Sequence, residues 1–297
     1  MEDVLLKALL EAGCHFGHKA DRWHPKAKKF IYQERDGIHI IDLIKTRSAL
    51  IEAAKFVYET VKSGKKVLFI GTKRQAASIV KEEAEKAGAP YISKRWIGGF
   101  LTNWEQVHAN MEKIRRLREE ESTGVWKKYP KHERVKLGRY VTKLEQFYGG
   151  VLSLVELPEA VFIVDVKREE VAVKEAVKIN RPVVAIVDTN SDPTPVTYPI
   201  PANDDAVGSI AYIVHYLSVA YREGREAYEK NAANEASKMV KAETENATDA
   251  PKTAKGDEQA TEGKKPEIKL EVKSTDQKVG VQVVAKSAET AVEEKPK

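Results

Sequence analysis

The stretch Val67-Leu68-Phe69-Ile70-Gly71-Thr72-Lys73-Arg74-Gln75-Ala76, which runs on to Gly88-Ala89-Pro90, decides the fold. Four consecutive apolar residues are the length of a buried strand, and the segment from Lys73 to Ala87 has helical period and stops at Gly88. The same pair of signals recurs on either side. Apolar runs lie at Ile38 to Ile41, Val161 to Val164 and Val183 to Val187, with a weaker one at Tyr91-Ile92. Between them, Thr46 to Val61 puts Leu50, Ala53, Ala54, Val57 and Val61 on one stripe before Gly64, and Glu169 to Ile179 ends before Asn180-Arg181-Pro182. Continuous apolar strands alternating with helices predict an α/β fold with a parallel sheet covered on both faces. Pro201-Ala202-Asn203-Asp204 predicts the start of a last helix through Ile210, Val214, Leu217 and Tyr221, with Asn203 or Asp204 as its cap.

One segment interrupts this alternation. Lys94 to Gly150 carries thirteen Lys or Arg against seven Glu, whereas the remainder of the chain has 37 basic and 38 acidic residues. The net charge of +5 therefore resides in this insertion. Trp104, Val107, Met111, Ile114 and Leu117, then Leu137, Val141, Leu144 and Tyr148, keep the spacing of two helix seams joined by Ser122 to His132. This pattern predicts an antiparallel helical hairpin. Gly138 within the second helix costs roughly 1 kcal/mol relative to Ala, so a hairpin of marginal stability is expected. Concentrated positive charge interleaved with Trp96, Trp104, Trp126, Tyr129 and Tyr140 is the pattern of a surface that meets a phosphate backbone.

The bounds of the folded part follow from composition. All 22 aromatic residues of the 297 precede position 229. From Asn231 onward there are twelve Lys, thirteen acids, one Leu and one Ile, which bury too little to offset the entropy of ordering. The expected organisation is a domain over 1–230, with 102–150 as the inserted hairpin and 231–297 as a disordered tail. The single Cys14 cannot form an internal disulfide, the N-terminus lacks a signal-peptide pattern, and the apolar runs are too short to span a bilayer. A soluble, cytoplasmic protein is expected.

Two surfaces qualify as nucleic-acid contacts. Lys19, Arg22, Lys26, Lys28 and Lys29 surround Trp23 and His24 in a loop-like stretch with a single acid, Asp21. A packed Trp23 explains the aromatic but not the density of cations, which favours phosphate binding with Trp23 as anchor. In the insertion the candidates are Lys94, Arg95, Trp96 and Asn103 around Gly98-Gly99, and Arg115, Arg116 and Arg118 on the first helix. A buried Trp on a glycine turn with a solvated Arg would also account for Arg95 to Gly99, and a solvated face for the helix, but the charge excess of the insertion favours RNA. The rival class is a nucleotide-binding enzyme or sensor using Gly71-Thr72-Lys73-Arg74, where α/β folds often bind phosphate. That loop has one glycine and matches neither G-x-G-x-x-G nor G-x-x-x-x-G-K-[ST], so a tight turn with an exposed Lys-Arg pair accounts for it better.

Metal and catalytic chemistry have weaker footing. Cys14, His15, His18 and His24 fit no structural zinc spacing, and packed or hydrogen-bonded histidines explain them better. Asp188, Asp204 and Asp205 could meet at one sheet edge and hold a hard divalent cation, although a turn and a helix cap also account for them. No pairing of nucleophile and base supports catalysis, and no other cofactor is expected.

The segments Leu9-Leu10-Glu11-Ala12-Gly13-Cys14-His15-Phe16-Gly17-His18, Arg22-Trp23-His24-Pro25-Lys26, Gly37-Ile38-His39-Ile40-Ile41-Asp42-Leu43, Leu68 to Ala76, Arg95-Trp96-Ile97-Gly98-Gly99-Phe100-Leu101-Thr102-Asn103, Pro158 to Asp165, Val183 to Asn190 and Ile200 to Ala206 resemble, in the same order, the ribosomal protein S2 family of the bacterial small subunit. The chain departs from that pattern at Cys14 and His24, where an apolar residue and Asn are expected, and in its long tail. The resemblance implies a flavodoxin-like (Rossmann-like) parallel sheet with an inserted coiled-coil hairpin and no enzymatic activity. It further implies a structural place near the neck of the small ribosomal subunit, with small-subunit ribosomal RNA and other small-subunit proteins as partners. Among these would be the large, mRNA-binding first protein of that subunit, which the chain would help recruit. No membrane and no small-molecule substrate are expected.

Overall fold

The computed structural model describes residues 4–246. In chain order the elements are α1 (Leu6–Glu11), β1 (Phe16–Lys19), β2 (Ile31–Arg35), β3 (Ile38–Ile41), α2 (Leu43–Lys62), β4 (Val67–Ile70), α3 (Arg74–Ala87), β5 (Tyr91–Ile92), α4 (Trp104–Ser122), α5 (Lys131–Tyr148), β6 (Ala160–Ile163), α6 (Glu170–Lys178), β7 (Val183–Val187), β8 (Tyr198–Pro201) and α7 (Val207–Asn246). Among the described residues no helix is long and apolar enough to cross a membrane.

Strands β5-β4-β6-β7-β8 form a parallel sheet in that spatial order. Renumbered within the sheet this is 2-1-3-4-5, the flavodoxin-like order. Every residue of β4, β6 and β7 is buried. Alternate side chains enter different cores because successive residues of a strand point to opposite faces. Val67, Phe69, Ala160, Phe162, Val184 and Ile186 pack with α2, α3 and α7 on one face. Leu68, Ile70, Val161, Ile163, Val183, Ala185 and Val187 pack on the other with α6 and the base of the hairpin, through Val107, Met111, Ile114 and Tyr148. The continuous apolar runs are thus explained by burial on both faces.

The helices follow their local signals. Asp42 Oδ1 accepts from Ile44 N at 3.0 Å to start α2, and Gly88 (φ 69°) closes α3 in the left-handed region. The last helix starts at Val207, later than expected. Asn203 Oδ1 accepts from Asp205 N (2.7 Å) and Ala206 N (2.9 Å), so it shapes the turn before the helix rather than capping it, and the Asp204 side chain turns elsewhere. α7 runs on to Asn246, beyond the boundary expected at Asn231. Most of the expected tail, residues 247–297, lies outside the described residues.

Ile38 to Ile41 belongs to a separate antiparallel sheet, not to the parallel one. There β3 lies between β1 and β2. The turn Asp36-Gly37, with φ of 52° and 71°, closes the β2–β3 hairpin. Its Asp-Gly dipeptide signals an antiparallel pair.

Helices α4 and α5 form the inserted hairpin, joined by a single 3-10 turn over Val125–Lys128. Asn110 bonds to Tyr148, Lys113 to Tyr140 and Arg118 to Glu145, cross-links between the two helices that hold them side by side. Its outer half holds only a small core of Leu117, Trp126 and Val141 with Leu137 against them.

Candidate nucleic-acid interface

The loop after β1 is built as two 3-10 turns, Ala20–Arg22 and Pro25–Phe30. Gly17 permits its attachment: a Cβ there would lie 2.7 Å from Thr189 Cγ2 and 3.0 Å from His39 O. That close approach lets His18 N donate to Thr189 Oγ1 (2.9 Å) and His24 N donate to Thr189 O (2.7 Å). Lys19, Arg22, Lys28 and Lys29 are exposed. Lys26 is held by Asp192 at 2.9 Å, and Lys29 Nζ sits 4.8 Å over the Phe30 ring. Trp23 is 37% exposed and meets His39 edge-on, with centroids 5.6 Å apart. The structure brings the expected residues of this surface together on one pinned loop.

The second surface is rearranged relative to expectation. Lys94 and Arg95 are exposed, but Trp96 is buried and donates from Nε1 to Glu175 Oε1 (3.0 Å). The same carboxylate accepts from Gly99 N (2.8 Å) and Leu101 N (3.0 Å). One buried acid on α6 thus shapes the whole Trp96–Thr102 loop, and Trp96 is a packing residue rather than a surface one. Asn103 is exposed at the head of α4 and makes no side-chain capping bond. Arg115 bonds Glu112 and the carbonyls of Leu152 and Leu154, so it ties the hairpin to the following loop. Arg118 pairs with Glu145 at 2.6 Å, whereas Arg116, exposed, approaches Glu120 at only 3.7 Å. From the connecting turn through α5, Lys127, Lys128, Lys131, Arg134, Lys136, Arg139 and Lys143 are exposed and have no ion pair among the described residues. They belong to the basic insertion, but nothing local to the sequence tells them apart from Arg115 and Arg118.

A third cluster occupies the carboxyl edge of the parallel sheet. Lys73, after β4, reaches Asp165 (3.2 Å) after β6 and Asp204 (2.9 Å) and Asp205 (2.6 Å) after β8. His18 from β1 closes the group, at 3.1 Å from Asp188 and 3.4 Å from Asp205. Burial opposes charge on Lys73, but the bonds and fields of Asp205, Asp204 and Asp165 win and raise its pKa above the ordinary lysine range. The bond to Asp188 leads in raising the pKa of His18, with Asp204 and Asp205 adding to it against partial burial. Burial, with the like charges of Asp165 and Asp188, pushes Asp204 up to about 7. The Gly71-Thr72-Lys73-Arg74 turn is therefore closed to phosphate: its lysine is spoken for by three carboxylates, and Thr72 donates to the buried Glu169.

Asp188 and Asp204 do meet at the sheet edge, as expected, but the third group within reach is His18 rather than Asp205. One ligand atom each from His18, Asp188 and Asp204 lie within 4.8 Å of one another. Asp204 Oδ2 is buried without a partner, so these residues fit a cation that accepts mixed nitrogen and oxygen ligands.

A flavodoxin-like sheet whose phosphate-loop lysine is locked by carboxylates, and whose inserted hairpin presents free cations, defines an α/β scaffold that acts through its surface. Similarity to known proteins gives the lineage. The chain belongs to the ribosomal protein S2 family, whose description, Ribosomal protein S2, matches residues 9–224. It is 47% identical over 232 residues to the small ribosomal subunit protein uS2 of Dictyoglomus thermophilum, covering 78% of this chain and 94% of that one. It is 50% identical over 226 residues to the uS2 of Coprothermobacter proteolyticus, covering 76% and 84%. It is 48% identical over 224 residues to the uS2c of Cyanophora paradoxa, covering 75% and 96%. The family is a structural, non-enzymatic component of the small ribosomal subunit.

Proposed function

We propose that this structural constituent of the small ribosomal subunit binds small-subunit ribosomal RNA through two surfaces, the Lys19–Lys29 loop and the outer half of the α4–α5 hairpin, in the cytoplasm. The observation that carries the reading is the run of exposed, unpaired cations from Lys127 to Lys143 on a chain otherwise close to neutral. Each phosphate neutralised by the protein releases counterions, so binding must weaken as salt rises. Lys94, Arg95 and Arg116 are further exposed cations of the insertion, while Arg115 and Arg118 act mainly within the hairpin. Replacing Lys127, Lys131 and Arg134 by Glu is expected to weaken binding to small-subunit RNA in a filter titration. The log-log salt slope should fall by about 0.7–0.9 for each phosphate that is no longer neutralised. An unchanged slope would remove the hairpin from the interface.

Protein partners belong to the same proposal. Leu5, Leu10 and Phe16 are exposed apolar residues near the N-terminus, at 60%, 51% and 48%, which supports a face buried by a neighbour such as the large mRNA-binding first protein of the subunit. Phe16→Ser should then reduce capture of that protein while leaving RNA binding intact.

A second reading concerns the carboxyl edge of the sheet, where the unpartnered Asp204 Oδ2 favours a divalent cation held by His18 and Asp188 with it. The imidazole makes zinc a better fit than magnesium. Zinc should raise the melting temperature of the wild type by mass action and leave an Asp188→Asn variant unmoved. An equal shift in both would assign the effect elsewhere.

A further inference from the structure

A groove of about 1030 Å³ runs between the Lys19–Lys29 loop and helix α6. Trp23, Val173 and Val177 supply apolar lining, and Arg22, Lys167 and Lys178 line it with positive charge. The other two lysines of the lining are already neutralised, Lys26 by Asp192 at 2.9 Å and Lys174 by Glu170 at 2.5 Å. Arg22, Lys167 and Lys178 are exposed and have no ion pair among the described residues. Neither acid of the lining is therefore free to repel an anion, while three cations are free to attract one.

We infer that this groove receives an unpaired stretch of RNA, one base stacking on Trp23 while the flanking phosphates meet Arg22, Lys167 and Lys178. The inference rests on the ribosomal RNA reading above and adds to it the chemical state of the ligand. A duplex hides its base faces, so an aromatic lining is useful only to a splayed, single-stranded nucleotide. The charge surplus selects an anionic chain over a neutral or basic peptide, and the exposed Trp23 face favours, among anionic chains, one that carries stackable bases. The volume lies at the upper end of the usual scale of ligand pockets, about 300–1,000 Å³, and has room for a base with its backbone.

Both walls are held in place before a ligand arrives. The loop is pinned by His24 N to Thr189 O (2.7 Å) and by Ala20 N to Gly37 O (2.9 Å), and the edge contact with His39 fixes the plane of the Trp23 ring. On the other wall, Glu175 anchors α6 to the Trp96–Thr102 loop. Preorganisation of this kind lowers the ordering cost of binding.

The test uses the full chain and a fluorescein-labelled, mixed-sequence single-stranded RNA of ten nucleotides, with the same strand annealed to its complement as the control. Trp23→Ala is expected to weaken binding of the single strand roughly 5- to 150-fold, the equivalent of the ~1–3 kcal/mol of one base stack. Trp23→Phe, which keeps a stacking face, should restore most of it. Lys167→Glu with Lys178→Glu should reduce the salt slope by about 0.7 per phosphate left without its cation. Melting curves that match the wild type certify that each variant is folded. The inference is overturned if Trp23→Ala binds the single strand as the wild type does, or if the duplex binds as tightly as the single strand. A wild-type chain that sediments with the small subunit yet ignores the oligonucleotide overturns the groove and leaves the ribosomal reading standing. A chain that does not sediment with the subunit overturns that reading instead.

Discussion

Single side chains set the chemistry of the sheet edge. Asp204 holds its proton more tightly in the folded chain than an ordinary aspartate, with a pKa of about 7 against 3.8. The folded state thus binds more protons than the unfolded state between these values, and stability falls as pH rises through that window. His18 acts in the same direction: its pKa is raised above 6.5, so its contribution is complete below that pH and is lost as pH rises through the folded value. The groups that face them are Lys73, Asp165, Asp188 and Asp205. An Asp204→Asn variant cannot ionise at this position. Its melting temperature, at constant ionic strength, should decline less between pH 5 and pH 8 than that of the wild type, and parallel curves would refute this account of the cluster. Glu175 is the complementary case, a buried acid made tolerable by the donors it satisfies. Glu175→Ala leaves Trp96 Nε1, Gly99 N and Leu101 N without their acceptor. Each such orphan costs ~1–3 kcal/mol, so a loss of about 3 kcal/mol or more is expected in denaturant unfolding. A loss below about 1 kcal/mol would mean that water replaces the carboxylate.

Among the elements, the α4–α5 hairpin has the thinnest internal support. Beyond its base it has only Leu117, Trp126, Val141 and Leu137 to hold two helices together. Trp126 Nε1 is buried there without a partner. Gly138 lies in the middle of α5, and a Cβ there would meet nothing within 4 Å. Gly138→Ala is therefore expected to stabilise the hairpin by roughly 1 kcal/mol, through helix propensity alone. Amide hydrogen exchange over α5 measures it: slower exchange in the variant is the predicted result, and faster exchange would show that Gly138 relieves a strain the backbone does not reveal. Arg115→Glu should act differently from charge reversal at Lys127, Lys131 and Arg134. It removes the bonds to the Leu152 and Leu154 carbonyls and should lower the melting temperature, whereas the outer substitutions should change RNA binding without it.

At the scale of the whole molecule, two cores lie on opposite faces of one sheet, and α7 closes the first of them. Ile210, Ile213, Val214, Leu217 and Tyr221 of α7 belong to that core. Arg225 donates to Ala87 O at 3.0 Å, and the Tyr228 ring lies against Gly64. Tyr228 lies just before Lys230, and truncation after Lys230 is expected to leave the melting midpoint within experimental error of the full chain. A large drop would show that residues further along contribute to the core.

Much of this is legible in the amino-acid order. β4, β6 and β7 announce themselves as apolar runs because both faces of each are buried, a condition that composition alone records. The location of the positive charge is equally plain, since counting requires no fold. β8 escapes a sequence reading because its two prolines, Pro199 and Pro201, hide an edge strand among turn residues. Trp96 reads as either a buried residue on a glycine turn or an RNA contact, because its partner, Glu175, is remote in sequence. Only the tertiary structure decides that Lys73 is locked, that His18 rather than Asp205 joins Asp188 and Asp204, and that Trp23 faces α6 across a groove. The physical reason is that local sequence fixes period and propensity, whereas which charges neutralise one another depends on which strand ends become neighbours. That neighbourhood is set by the strand order β5-β4-β6-β7-β8.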